Sequence, residues 1–319
     1  MQTSISVVIP TYNRGALIEK TVASVLNQDL PPEEVEVLIV DDGSTDDTWD
    51  VLQQLYGNQA QVRLFRLENG GVARARNFGL EQARGEFIAY LDHDDLWLPA
   101  KLRLQRDILL QHPEIGVVCC LWHDRTEDGE IIPGHQILQA DPKWNLPHGH
   151  IFGRLLRNNF IVSMTIPMLR TALLQEVGGL DVAMVPCDDW DLWIRLAQRC
   201  QFGVVREVGA IYQRHSSQQS SDERQMLQAT QRLLREHLTK RWWVAAWHLR
   251  AVWVLWSMAY FIPTQQPFYH LARSAINEGD WRQVRRMLRN CQKRFPLILF
   301  TPQWLYILVR LLRRDSRPF

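Results

Sequence analysis

Cysteine is scarce: five in 319 residues, at Cys119, Cys120, Cys187, Cys200 and Cys291. Their spacing matches neither a zinc site nor the framework of a small secreted domain. A disulfide scaffold is therefore excluded as the organising principle, and a reducing, cytoplasmic setting is expected. Long apolar runs are missing too. The cleanest, Ala251–Ile262, has 12 residues, short of the ~20 that cross a bilayer. Leu297–Val309 is broken by Pro302. No transmembrane helix is expected, and Met1-Gln2-Thr3-Ser4 leads into a strand without a signal-peptide pattern. Internal repeats are absent. Residues 1–221 are short of positive charge, with 19 Lys+Arg against 29 Asp+Glu, whereas 222–319 carry 17 against 6 and seven of the 13 Trp. An overall charge of +1 thus hides a net −10 and a net +11. Such asymmetry marks two parts with different partners. No groove-reading motif accompanies the basic part, which argues against nucleic acid. Its Trp/Arg helices suit either the surface of an anionic membrane or packing against protein.

The chain does contain a regular alternation of strand and helix. Strand-like runs at 4–10 (β-branched), 35–40, 62–67 and 87–91 are separated by helical stripes at 15–28, 47–56 and 70–83. This pattern predicts a doubly wound, mostly parallel α/β sheet. A helix at 99–111 and a strand at 116–121 follow. Residues 124–158 read as irregular, 160–167 as a strand, 169–177 and 189–199 as helices, and 204–208 and 210–213 as short strands. Only helical periodicity remains from Asp222 onward.

Four strand exits carry polar residues. Phe87–Leu91 runs into Asp92-His93-Asp94-Asp95. Carboxylates this close repel one another unless a cation joins them, and crevices in open α/β sheets lie at the carboxyl ends of strands. Asp92 and Asp94 are therefore candidate ligands for a divalent metal that neutralises phosphate, and a solvated acidic turn is the plain alternative. Pro10-Thr11-Tyr12-Asn13-Arg14 opens a helix: Tyr12 can stack on a base and Arg14 can pair with a phosphate. Asp41-Asp42-Gly43-Ser44-Thr45-Asp46 offers a carboxylate for a base or ribose, or a helix cap. In Asn69-Gly70-Gly71-Val72-Ala73-Arg74-Ala75-Arg76-Asn77, Arg74 and Asn77 share a helix face. Arg74 is assigned to the nucleotide, while Arg76 is equally well read as part of a solvated face.

Taken in order and spacing, residues 7–14, 40–46, 69–77 and 91–95 resemble the motifs of family 2 glycosyltransferases with the GT-A nucleotide-sugar fold, over roughly residues 4–215. The resemblance implies a GT-A catalytic domain at 1–221, with a nucleotide-sugar half to about 121 and an acceptor half from 122. A helical region at 222–319 follows. It also implies an inverting transfer from a nucleotide-diphosphate sugar, most simply a UDP-sugar, with Mg²⁺ or Mn²⁺. By position, Pro10, Tyr12, Arg14, Asp42, Arg74, Asp92 and His93 would line the donor site, and Asp94 would be nearest the metal. Cys187-Asp188-Asp189-Trp190 resembles the family's Glu-Asp motif with Asp188 in place of Glu, which makes Asp189 the general base. Asp191, two positions on, is read as structural. His215, after Arg214, resembles a late histidine that reaches the metal or diphosphate. Leu238 stands where processive synthases have the Gln of Gln-x-x-Arg-Trp, so a non-processive hexosyltransferase is expected. Its acceptor would be a glycan or a lipid-linked sugar of a cell-surface polysaccharide or glycolipid, reached from the cytoplasm or from the membrane's cytoplasmic face. A nucleotidyltransferase and an inactive nucleotide-sugar-binding module remain the other classes. Oligomeric state is not legible.

Overall fold

The computed structural model describes residues 4–133, 148–156, 159–214 and 223–239. The chain divides into two compact units, Met1–Leu234 and Arg235–Phe319. The first holds the whole sheet, and of the second only the end of one helix is described.

Four strands form the first half: β1 (Ile5–Thr11), β2 (Val35–Asp41), β3 (Val62–Arg66) and β4 (Phe87–Tyr90). They lie in the order β3-β2-β1-β4, all parallel, with Ile5 opposite both Val35 and Phe87. Every residue of β1, β2 and β4 is buried. A strand covered on both faces reads as a continuous apolar run, which is why these three were legible. Helices α1 (Gly15–Leu26), α2 (Thr48–Tyr56) and α3 (Val72–Gln82) make the crossovers. Parallel pairing requires such crossovers, and it brings the carboxyl ends of β1, β2 and β4 to one edge.

Beyond β4 the sheet becomes mixed. It continues through β5 (Leu96–Trp97), α4 (Lys101–Gln111), β6 (Ile115–Arg125) and β7 (Ile131–Pro133). Then come a helical turn α5 (Phe152–Leu155), β8 (Met168–Arg170), α6 (Thr171–Glu176), α7 (Asp188–Leu196), β9 (Gln201–Gln213) and α8 (Glu223–Thr239). β8 is antiparallel to both β4 and β6, β6 runs parallel to β9, and β5 closes the far edge antiparallel to β9. Three expectations fail here, the last in part. Residues 160–167 form no strand. They cross the sheet edge as irregular chain because Thr165 turns its hydroxyl to Asp95 at 2.5 Å and donates its own N–H to Ser163 at 3.1 Å. The two short strands expected near 204–213 are one strand whose register slips opposite Cys120–Trp122. Part of the stretch expected to be irregular, 124–158, is paired in β6 and β7, and 134–147 lie outside the described residues.

The second half has its own core of large rings, with Trp122, Trp190, Trp193, Phe160 and Phe202 fully buried. It is fastened to α3 by Asn77. That carboxamide donates to the Leu180 carbonyl at 2.8 Å and accepts the Leu180 N–H at 2.8 Å. The pair acts like one rung of a strand ladder. Gly179 (φ 67°) makes room for it, since a Cβ there would stand 2.5 Å from Asn77 Oδ1. Helix α8 packs on the segment leading into α7: Arg232 donates to the Ala183 carbonyl at 2.7 Å, and Thr230 Oγ1 lies 3.7 Å from Cys187 Sγ. Among the described residues, no helix is long and apolar enough to cross a membrane.

Candidate active site

A cleft of about 550 Å³ opens at the carboxyl ends of β1, β2 and β4. It brings together Pro10, Tyr12, Arg14, Asp42, Asp92, His93, Asp94 and Asp189, all expected from the sequence and separated by up to 179 positions. Arg74 is not in its lining; its guanidinium turns back to donate to the Glu68 carbonyl at 3.3 Å. His215 lies outside the described residues.

Each group is held by a local device. Two residues past the end of β1, Asn13 adopts φ 52°, a left-handed conformation that asparagine tolerates. Asn13 Oδ1 accepts the Thr45 N–H at 2.9 Å, which joins the exit of β1 to that of β2. Asp42 is buried, and its two carboxylate oxygens accept the N–H groups of Gly70 (2.9 Å) and Gly71 (2.8 Å). It therefore shapes the glycine turn as well as facing the cleft. Gly71 stands at φ 90°, a conformation favouring glycine, and passes directly into α3.

Arg76, left open by the sequence, is a centre of the site. Its side chain is 8% exposed, it donates to Asp92 Oδ1 at 2.5 Å, and it approaches Asp188 Oδ2 at 3.5 Å. The carboxylates of Asp92 and Asp188 keep this guanidinium charged against the cost of its burial. The signal that could have found it is helix phase. Ala73, Arg76 and Leu80 fall at i, i+3 and i+7 and form the buried stripe of α3. Arg74 lies off that stripe.

Asp95 is buried behind the acidic turn. It accepts from Thr165 Oγ1 at 2.5 Å and from the Gln213 N–H at 2.8 Å. Burial, then the charges of Asp92 and Asp94, push its carboxyl well above the usual carboxylate range. The Asp92–Asp95 turn is thereby tied to 160–167 and to the end of β9, which delivers Tyr212 to the cleft. Burial pushes the His93 imidazole down, and this outweighs the opposing pull of Asp94 and Asp92.

On the opposite wall, the acidic residues Asp188, Asp189 and Asp191 fill the first turn of α7, where the helix dipole favours them. They take different roles. Asp191 is buried and pairs with Arg195 at 2.7 Å; Arg195 also donates to the Val177 and Gly179 carbonyls, so Asp191 is structural as expected. Asp188 takes the Arg76 charge. Asp189 faces the cleft with Asn159 Nδ2 donating to Oδ2 at 3.3 Å. Burial, then the Asp188 charge, push its carboxyl up to about 7. A carboxyl tuned to the working pH beside an open cleft suits proton abstraction.

For a cation, the donor set is sparse but of the right kind. Asp92 gives one oxygen to Arg76, and its second lies 3.5 Å from the Ser163 hydroxyl. Asp94 also lines the cleft. Among the described residues no three His, Cys, Asp or Glu gather into a preformed cage. Hard cations such as Mg²⁺ and Mn²⁺ are commonly held by one or two carboxylates together with substrate phosphates and water, so the residues fit such an ion arriving with a diphosphate.

Comparison with known proteins agrees with this geometry. The sequence model of "Glycosyl transferase family 2" matches residues 6–178. The chain is 37% identical over 204 residues to the chondroitin synthase of Pasteurella multocida (strain Pm70), covering 64% of this chain but 20% of that protein. It is 44% identical over 108 residues to the putative teichuronic acid biosynthesis glycosyltransferase TuaG of Bacillus subtilis (strain 168), covering 34% and 42% of the two chains. The chain thus spans only about a fifth of the chondroitin synthase. Among solved structures, residues 1–349 of S. aureus TarS in complex with UDP-GlcNAc match at a TM-score of 0.65 and 20% identity, covering 98% of this chain and 81% of that one. The mannosyltransferase PcManGT of Pyrobaculum calidifontis, in complex with GDP-Man and Mn²⁺, matches at 0.62 and 20%, covering 98% and 88%. The fold is the GT-A nucleotide-sugar fold, and the chain belongs to glycosyl transferase family 2.

Proposed function

We propose that this chain is an inverting glycosyltransferase. It moves a sugar from a nucleotide-diphosphate donor, a UDP-sugar in the simplest case, to an acceptor hydroxyl during synthesis of a cell-surface polysaccharide or glycolipid. The observation that carries this reading is that Asp92, Asp94 and Asp189 line one cleft. The names of the relatives, chondroitin synthase and a teichuronic acid glycosyltransferase, support the polysaccharide setting.

In this reading the acceptor hydroxyl gives its proton to Asp189, and its oxygen bonds to the anomeric carbon from the face opposite the diphosphate. The bond from that carbon to the diphosphate breaks, and the nucleoside diphosphate leaves with the electron pair. Inversion follows from single displacement. Tyr12 packs on the base, Asp42 holds the glycine turn beneath it, and Arg14 meets the diphosphate. Asp94, with the second oxygen of Asp92, would hold Mg²⁺ or Mn²⁺, whose charge offsets that of the leaving group. Transfer is non-processive, of one hexose at a time, and takes place in the cytoplasm or at the membrane's cytoplasmic face, where the basic residues 222–319 meet a lipid-linked acceptor. His215, two residues past the end of β9, is assigned to the metal or diphosphate.

Asp189→Asn should lower transfer by about 10²–10⁴-fold, the usual contribution of a positioned base. Binding of UDP with Mn²⁺, read as a shift in melting temperature, should persist. Transfer at the wild-type rate in this variant would remove Asp189 as base. Because Asp189 acts when deprotonated, kcat/KM should rise with pH along a limb centred near 7. A pH profile flat between 6 and 8, as order-of-magnitude bounds around that value, would contradict the assignment. Release of pyrophosphate from a nucleoside triphosphate would instead indicate a nucleotidyltransferase.

A further inference from the structure

The acidic turn carries a histidine between its first two carboxylates. Arg14 donates its Nε–H to His93 Nε2 at 3.1 Å. A guanidinium has no acceptor, so Nε2 must present its lone pair. The ring proton is then on Nδ1, 3.4 Å from the Pro10 carbonyl oxygen. The His93 backbone is fixed from another side, where Thr21 of α1 donates its hydroxyl to the His93 carbonyl at 2.8 Å. Arg14 itself is fixed at its stem: its N–H donates to Thr48 Oγ1 at 2.9 Å, and its Nη1 donates to the Asn13 carbonyl at 3.1 Å. The side-chain bonds to His93 and Asn13 use two of the five guanidinium donors, on a residue that lines the cleft.

The choice of side chain matters here. A carboxylate at position 93 would also accept from Arg14, but it would cancel the charge the cleft needs for an anion. Alanine or serine would not reach. A neutral imidazole accepts one hydrogen bond and leaves the guanidinium positive. A long cationic side chain that is already ordered loses less freedom when its ligand arrives.

We infer that His93 is a positioning residue for Arg14, holding the guanidinium so that its remaining N–H groups meet the anionic diphosphate of a nucleotide donor. This rests on the nucleotide-sugar reading above, and it gives His93 a role separate from the metal carboxylates on either side.

The test uses the full chain and four variants: H93A, H93Q, R14A and the H93A/R14A double variant. UDP and GDP, each with Mn²⁺, are titrated into every protein. H93A should weaken binding of the preferred nucleotide about tenfold, the scale of one lost hydrogen bond to a charged group. H93Q sets an amide oxygen near the position of Nε2 and should recover most of that loss. In the R14A background H93A should add nothing, because the two residues act as one unit. Full additivity, or an H93Q as weak as H93A, overturns the inference. A second measurement needs no ligand. In ¹⁵N-histidine-labelled protein, the His93 signals should show protonated Nδ1 and bare Nε2, and they should move in R14A. A protonated Nε2, or signals indifferent to R14A, overturns the pairing whatever the enzyme transfers. If wild-type protein binds neither nucleotide while those signals behave as expected, the nucleotide-sugar reading fails together with the donor half of this inference, and the pairing stands.

Discussion

The two halves of the catalytic unit solve the same problem differently. From β1 to β4, the functional residues other than Arg76, which sits within α3, stand at the exits of parallel strands. From β5 to β9, the chain contributes Ser163, Met164, Asp189 and Tyr212 from an irregular segment, a helix start and the end of a bent strand. A parallel sheet prescribes where loops emerge, so a ligand site at its edge needs little further engineering. A mixed sheet leaves that freedom open, and here the positions are fixed by pairwise polar contacts: Asp95 with Thr165 and Gln213, Arg76 with Asp92 and Asp188, Asn77 with Leu180.

If that contrast is right, the sharpest way to break it is to remove the residue that serves both halves. Arg76→Ala leaves two carboxylates without their cation, the buried one at Asp188. It should destabilise the protein by about 3–5 kcal/mol, the range for a broken buried ion pair. Urea unfolding at neutral pH measures it. The variant should regain part of the loss as pH falls, because Asp188, whose carboxyl burial already raises, then takes a proton. A change under about 0.5 kcal/mol, the range of ordinary surface substitutions, would mean the halves do not depend on this contact.

A smaller effect is expected at the clasp between α3 and the second half. Gly179→Ala must accept a left-handed backbone and a contact with Asn77. Such positions cost a non-glycine residue about 1–3 kcal/mol. Asn77→Ala, which strands the Leu180 N–H and carbonyl, should cost a similar 1–3 kcal/mol. The two should be less than additive, since both undo one joint. Acceptor KM should suffer more than donor KM, and the reverse ranking would place the clasp with the donor half. The smallest effect is expected at Arg74. Arg74→Ala should change stability and UDP binding by no more than about 0.5 kcal/mol, because its one described bond is to an exposed carbonyl. A large loss of UDP binding would restore Arg74 to the donor site.

The same contrast explains what the sequence could tell. Asp42, Asp92 and Asp94 were legible because each ends a run of buried strand residues, and the change from apolar to acidic is abrupt. Asp189 was legible only through its motif, since three acids at a helix start are equally well explained by the dipole. Arg76 was missed because two arginines two positions apart do not declare which one is buried; that depends on the phase of α3 against β1 and β2. The segment 160–167 was misread as strand because Phe160, Ile161, Met164 and Ile166 are all buried, which periodicity alone cannot tell from pairing. Its hydrogen bonds go to Asp92 and Asp95, some 70 residues earlier. Long-range polar pairing of that kind leaves no local trace.

The clasp at Leu180 has one more consequence. Asn77 recognises only the backbone of its partner, an N–H and a carbonyl, and the turn before it takes glycine at both 178 (φ 82°) and 179 (φ 67°). Neither hydrogen bond reads the side chain at position 180. A change of side chain at 180 would therefore leave both hydrogen bonds in place, and its cost would fall on the packing of the buried Leu180 side chain alone.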